Sequence, residues 1–177
     1  MSKVYGFGDP DGFVFNMSVG YDLDGIKGRK VNTYINNMMD AGKSAQFKEC
    51  KKVLTELFPE EKDFIASISP NVSRSVTLST LHGCPPQEIE RIASYLLKEK
   101  HLHTFVKCNP TILGYKTARS ILDSMGYDYI VFDEHHFNED LQWEDAVPMF
   151  ERLQKLADKQ GLEFGLKLSN TFPVDTT

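Results

Sequence analysis

The chain has 177 residues, of which 41% are hydrophobic, 25% charged and 11% aromatic. This composition excludes a disordered, collagen-like or disulfide-scaffold protein, and the length fits one domain able to bury a real core. The formal net charge of −5 offers no basic footprint for nucleic acid or an anionic membrane.

No apolar run reaches the roughly 18 residues of a spanning helix, and residues 1–6 lack the apolar centre of a signal peptide. Three cysteines match no zinc or iron–sulfur spacing, so reduced thiols in a cytoplasmic protein are expected.

Residues 1–12 are rich in glycine, aspartate and proline and read as a loose lead-in. Phe13-Val14-Phe15-Asn16-Met17-Ser18-Val19-Gly20 predicts a strand, with Asn16 and Ser18 on one face because side chains alternate. Two helices are expected next. Tyr34, Ile35, Met38 and Met39 form an apolar stripe closed by Gly42. Phe47, Cys50, Val53, Leu54 and Leu57 form another that stops before Pro59. Residues 13–74 thus read as an elaborated β-α-α segment.

Residues 75–177 have a regular rhythm, with strands expected at 75–80, 104–108, 129–132 and 164–168. Ile89, Ile92, Ala93, Leu96 and Leu97 mark one intervening helix, entered at Pro86. Ala118, Ile121, Leu122 and Met125 mark the next, stopped at Gly126. Val147, Phe150, Leu153 and Ala157 mark the last, with Pro148 in its first turn or so and Gly161 at its end. Alternating strands and helices imply an α/β fold of parallel βα units. The C-terminal strand ends share one edge of the sheet, where such folds bind ligands. About five strands fall short of the eight in a (β/α)8 barrel, leaving an open sheet or a partial barrel.

Three strand ends carry candidate chemistry. Thr80-Leu81-His82-Gly83-Cys84-Pro85-Pro86 follows a strand and opens a helix. Near a helix N-cap the dipole and unpaired N–H groups favour an anion, so Cys84 is a candidate stabilised thiolate. The plainer reading is a small buried cysteine in a tight turn. Lys107 interrupts the apolar run Phe105-Val106-Lys107-Cys108 and shares a side with Asn109. Lys167 interrupts Phe164-Gly165-Leu166-Lys167-Leu168 in the same way, ahead of Ser169-Asn170-Thr171. A lysine within a strand either snorkels or needs an anionic partner, and two at corresponding positions point to a polar pocket over the sheet.

Other features carry less. Asp133-Glu134-His135-His136 hints at metal, but neighbouring histidines on an extended chain point apart, so a solvated loop and no metal site are expected. His101 and His103 lie at the opposite edge. Glu139-Asp140 with Glu144-Asp145 reads as dipole compensation on a solvated helix start. No glycine-rich dinucleotide fingerprint follows a strand, and there is no Walker loop.

The blocks around residues 79–86 and 105–114, with Phe15-Asn16-Met17-Ser18-Val19-Gly20-Tyr21 and Gly25-Ile26, Asn36-Asn37-Met38-Met39-Asp40, Asp140-Leu141 and Gly165-Leu166-Lys167-Leu168-Ser169-Asn170-Thr171, resemble a known family. It is that of the oxidoreductases described as selenate reductase subunits (YgfK-like), large iron–sulfur flavoproteins. Their N-terminal portion is similar to the dihydroorotate and dihydropyrimidine dehydrogenase barrel. The resemblance implies a partial TIM-barrel-like fold and FMN in the intact parent protein, with iron–sulfur clusters elsewhere in that parent. By the same resemblance Cys84 is the catalytic proton carrier. Lys107 contacts the flavin, and Ser79, Asn109, Lys167 and Asn170 line the pocket. An alternative alignment through residues 129–134 moves the role of Asn170 there.

His82-Gly83 departs from the family's asparagine-rich approach to Cys-Pro, and the family's first and last barrel strands have no counterpart. The chain therefore reads as a single domain that is an internal piece of a larger flavoprotein, inactive and without tightly held flavin by itself. Its expected partners are a small-molecule substrate, the rest of the parent polypeptide and other copies of itself. A non-catalytic structural or docking module is the alternative, and a Schiff-base lyase using Lys107 or Lys167 is a third.

Overall fold

The structure is a computed structural model that describes residues 15–79, 83–168 and 174. In chain order the elements are β1 (Asn16–Val19), α1 (Leu23–Lys27), α2 (Arg29–Met39), α3 (Ala45–Leu57), α4 (Lys62–Ser67) and β2 (Ser75–Leu78). Then follow α5 (Pro86–Lys98), β3 (His103–Cys108), α6 (Tyr115–Ser124), α7 (Glu134–Glu139), α8 (Trp143–Gln160) and β4 (Phe164–Leu168). The described residues divide into two compact units. One holds 15–17 with 29–75, the other 18–28 with 76–168.

The first unit is helical. The end of α2 is tied to the approach to β2, where Val72 and Ser73 donate their N–H groups to the Met38 carbonyl at 3.1 and 2.9 Å. Ser44 caps α3 by accepting the Phe47 N–H at 3.0 Å. The expected apolar stripe of α3 forms a helix, but no residue of that helix is buried, and Val53, Leu54 and Leu57 are exposed.

The second unit holds most of a four-stranded sheet, ordered β1-β2-β3-β4, with β3 and β4 parallel. Pro86 occupies the first turn of α5, where its missing N–H costs nothing. All five residues of the predicted stripe are buried: Ile89, Ile92, Ala93, Leu96 and Leu97. Helix α8 buries Ala146, Met149, Leu153 and Ala157 and ends at Gly161, whose φ of 65° is the left-handed conformation glycine supplies. Pro148 sits in the second turn of α8, deeper than expected. Arg152 of α8 grips Glu90 of α5 with two hydrogen bonds of 2.7 Å. The Arg152 hydrogen bond holds the Glu90 carboxyl below its ordinary range.

The predicted strand at 129–132 is reduced to a single β-bridge at Val131, which leaves four strands among the described residues. Arg119 of α6 accounts for this. Its guanidinium donates to the carbonyls of Ile130 and Tyr127 and to the Asp123 carboxylate, and it lies 4.9 Å from the Phe132 ring centre. The Ile130 carbonyl, which a longer ladder would pair, is taken by a side chain instead. Phe132 turns into a small core with Phe137 and Ala118, while Tyr129 and Val131 face solvent. β3 then pairs directly with β4.

Gly20 ends β1 against the end of β2. A Cβ there would meet the Ser79 carbonyl oxygen at 2.5 Å, and Ser79 donates its N–H to the Val19 carbonyl at 2.7 Å. Gly20→Ala must therefore pry the two strand ends apart. It is expected to destabilise the protein by about 1–3 kcal/mol, read as a lower midpoint in thermal denaturation. An unchanged midpoint contradicts this packing.

Candidate functional site

Along β3 burial alternates. Thr104, Val106 and Cys108 face inward, while His103, Phe105 and Lys107 are half-buried on the other side. The pairing with β4 sets Phe105 beside Gly165 and Lys107 beside Lys167. Parallel partners project from the same face, so two lysines stand next to each other on the face that also carries Phe105. Gly165 permits this: a Cβ there would come within 2.5 Å of the Phe105 ring. The opposite face is covered by helix, where Phe150 of α8 stacks 6.2 Å from Phe164. Neither Lys107 nor Lys167 has a carboxylate at ion-pair distance among the described residues.

Beyond the C-terminal end of β3 lies a small cavity lined by Cys84, Lys107, Asn109, Thr111 and Asp140, among others. Its volume is about 10 Å³, room for roughly one water. Cys84 and Lys107 are thus brought together as the sequence implies. The state of the thiol is a correction. The N-cap of α5 is Pro85, and Cys84 lies one residue outside it. Burial, and then the negative charge of Glu88, push the Cys84 thiol above its ordinary value. Both effects oppose the stabilised thiolate expected from a helix start.

The remaining candidates are more spread. Asn109 joins the cavity. Ser79 follows β2, half-buried, and is not part of the cavity wall. Lys167 is exposed and reaches the site only through its place beside Lys107. Asn170, with Ser169 and Thr171, falls outside the described residues, as do Thr80, Leu81 and His82. The Asp133–His136 stretch is a helix start, where Asp133 accepts the His135 N–H at 2.8 Å and His135 pairs with Glu139 at 3.2 Å. At the opposite end of β3, His103 Nδ1 accepts the Glu163 N–H at 3.0 Å.

Asp140 stands in a block that carries the family resemblance, but the sequence assigns it no role at the site. It was expected on a solvated helix start, yet it is only 7% exposed. Its Oδ1 accepts the Gly83 N–H at 3.0 Å. Its Oδ2 accepts the Thr111 hydroxyl at 2.7 Å and the Asn109 amide at 3.2 Å. The partners lie 29 to 57 residues away in sequence, a separation no local pattern encodes.

The profile of the family described as "Oxidoreductase YgfK, N-terminal TIM-barrel domain" matches residues 1–177. The chain belongs to this family. It is 44% identical over 174 residues to "Putative oxidoreductase YgfK" of Escherichia coli strain K12, and equally to the protein of that name from Escherichia coli O157:H7. Each alignment covers 90% of this chain but 17% of the relative's length. No solved structure matches. The four strands and their helices are consistent with part of the barrel that the YgfK family description names. Among the described residues no helix is long and apolar enough to cross a membrane.

The raised thiol makes a prediction. Peptide-resolved alkylation of Cys84 by iodoacetamide should climb with pH through an inflection above that of an ordinary thiol. An inflection near neutral pH would restore the thiolate reading.

Proposed function

We propose that this chain supplies the flavin-facing side of a larger flavin-linked oxidoreductase that also carries iron–sulfur centres, with Cys84 as a proton donor to substrate. The observation that carries the reading is the in-register pair Lys107 and Lys167, close to a protonated thiol. The donor set fits the electron-rich pyrimidine side of FMN, since both ammonium groups lack a carboxylate partner among the described residues. A cavity of about 10 Å³ does not admit a flavin ring, so the ring belongs on the lysine-bearing face of the sheet. Bound there, the flavin would accept or deliver electrons. Lys107 and Lys167 hold and orient it, Asn109 lines the approach, and Cys84 keeps the proton at its sulfur until substrate arrives. Ser79 and Asn170 complete the proposed flavin contacts.

The small cavity favours one second reading, a non-catalytic docking module within a redox complex. In either reading the outer edge of β4, with Leu166 and Leu168 exposed, calls for a partner. We assign that edge to further strands of the longer polypeptide, with association between copies when those strands are absent.

Two measurements on the full-length protein test the proposal. Lys107→Met should weaken FMN binding about tenfold to a hundredfold, the loss expected for a hydrogen bond from a charged donor. Cys84→Ala should slow turnover by about a hundredfold or more while flavin content and folding stay intact. Unchanged FMN affinity overturns the lysine assignment. Unchanged turnover overturns the thiol and leaves the docking module.

A further inference from the structure

We propose that Asp140 is the positioning residue of this site, a buried carboxylate that holds the Cys84 turn against the loop that follows β3. The inference rests on the reading that Cys84 is the working thiol. Asp140 belongs to the short segment between α7 and α8, and among the described residues three donors to its carboxylate come from two other segments. Gly83, immediately before Cys84, gives its N–H to Oδ1 at 3.0 Å. Thr111 and Asn109, just past β3, give a hydroxyl and an amide to Oδ2 at 2.7 and 3.2 Å. One side chain thus joins three separate stretches of chain at the same end of the sheet.

The Asp140 backbone is itself held. Gln142 Nε2 donates to the Asp140 carbonyl at 2.6 Å and to the Phe137 carbonyl at 2.7 Å. The turn that Asp140 grips also needs a grip. Gly83 has a φ of 73°, a conformation open to glycine but to few other residues. A carboxylate is suited to the task because it only accepts, with two oxygens able to serve three donors. An amide of the same shape keeps one accepting oxygen and turns an N–H₂ toward a donor. The contacts link loops and leave the α5–α8 packing alone, so the consequence should be local. Without Asp140 the turn swings away and the Cys84 sulfur loses the burial that raises its pKa.

Peptide-resolved alkylation of the full-length protein tests this without any flavin, so its outcome is independent of the cofactor assignment. Asp140→Ala should speed iodoacetamide modification of Cys84 at pH 8 by about tenfold, the factor that roughly 1.4 kcal/mol of lost hydrogen bonding gives. The inflection of its pH profile should fall toward that of an ordinary thiol. Cys108, buried and raised to about 11, should stay protected and report that the fold survives. Should Asp140→Ala expose Cys108 as well, Asp140→Asn decides. It keeps one acceptor, and Cys84 should then react at an intermediate rate with Cys108 still protected. A Cys84 profile that stays at wild type in the variant that keeps Cys108 protected overturns the proposal. So does a parallel rise of Cys84 and Cys108 in both variants.

Discussion

Two like charges stand side by side only where the backbone leaves them no choice. β3 and β4 run in parallel with five residues in register, and that register sets Lys107 beside Lys167. Strands lie about 4.8 Å apart, so two ammonium groups on neighbouring stems repel by an amount on the order of 1 kcal/mol in solvent. The pairing must outweigh that cost. Inward-facing Val106 and Thr104 help to do so, as does the ring of Phe105 lying over the bare backbone of Gly165. A register slip of one residue would turn every side chain of β4 to the other face, so the lysine pair is locked to the packing beneath it.

Everything proposed for the site follows from this arrangement. The cation pair of Lys107 and Lys167 is the feature on which the proposed flavin contact rests. The neighbouring thiol, its pKa raised by burial and by Glu88, has a proton to give. Asp140 is proposed to hold the turn before that thiol against the loop after β3. These are three different kinds of group, a cation pair, a weak acid and a carboxylate brace, and they come from separate segments that meet only in the folded chain. The YgfK family assignment agrees with an oxidoreductase role. The chemistry itself is argued from the groups.

Much of the fold was legible because periodicity is a local property. The α5 stripe and the β3 alternation are written in consecutive residues, and both elements formed with the expected faces buried. The stripe of α3 was equally plain, yet it buries nothing, since amphipathicity tells which face is apolar and not what meets it. The strand at 129–132 shrinks to a bridge at Val131 for a related reason: Tyr129-Ile130-Val131-Phe132 has every local mark of a strand, and a single arginine one helix away takes the Ile130 carbonyl. In the site, Cys84, Lys107 and Asn109 could be found from their places after strands. Asp140 stood in a family block without a role, because its hydrogen bonds span tens of residues. The thiolate was misjudged because position beside a helix start was weighed and the burial of the sulfur was unknown.

The central claim is spatial, and chemical crosslinking reaches it directly. A dinitrobenzene reagent with both reactive carbons on one aromatic ring bridges only amines that are close neighbours. Applied to the full-length protein, it should yield one intramolecular link joining the peptides that contain Lys107 and Lys167. If both lysines are modified singly and never bridged to each other, the register that carries the account is wrong.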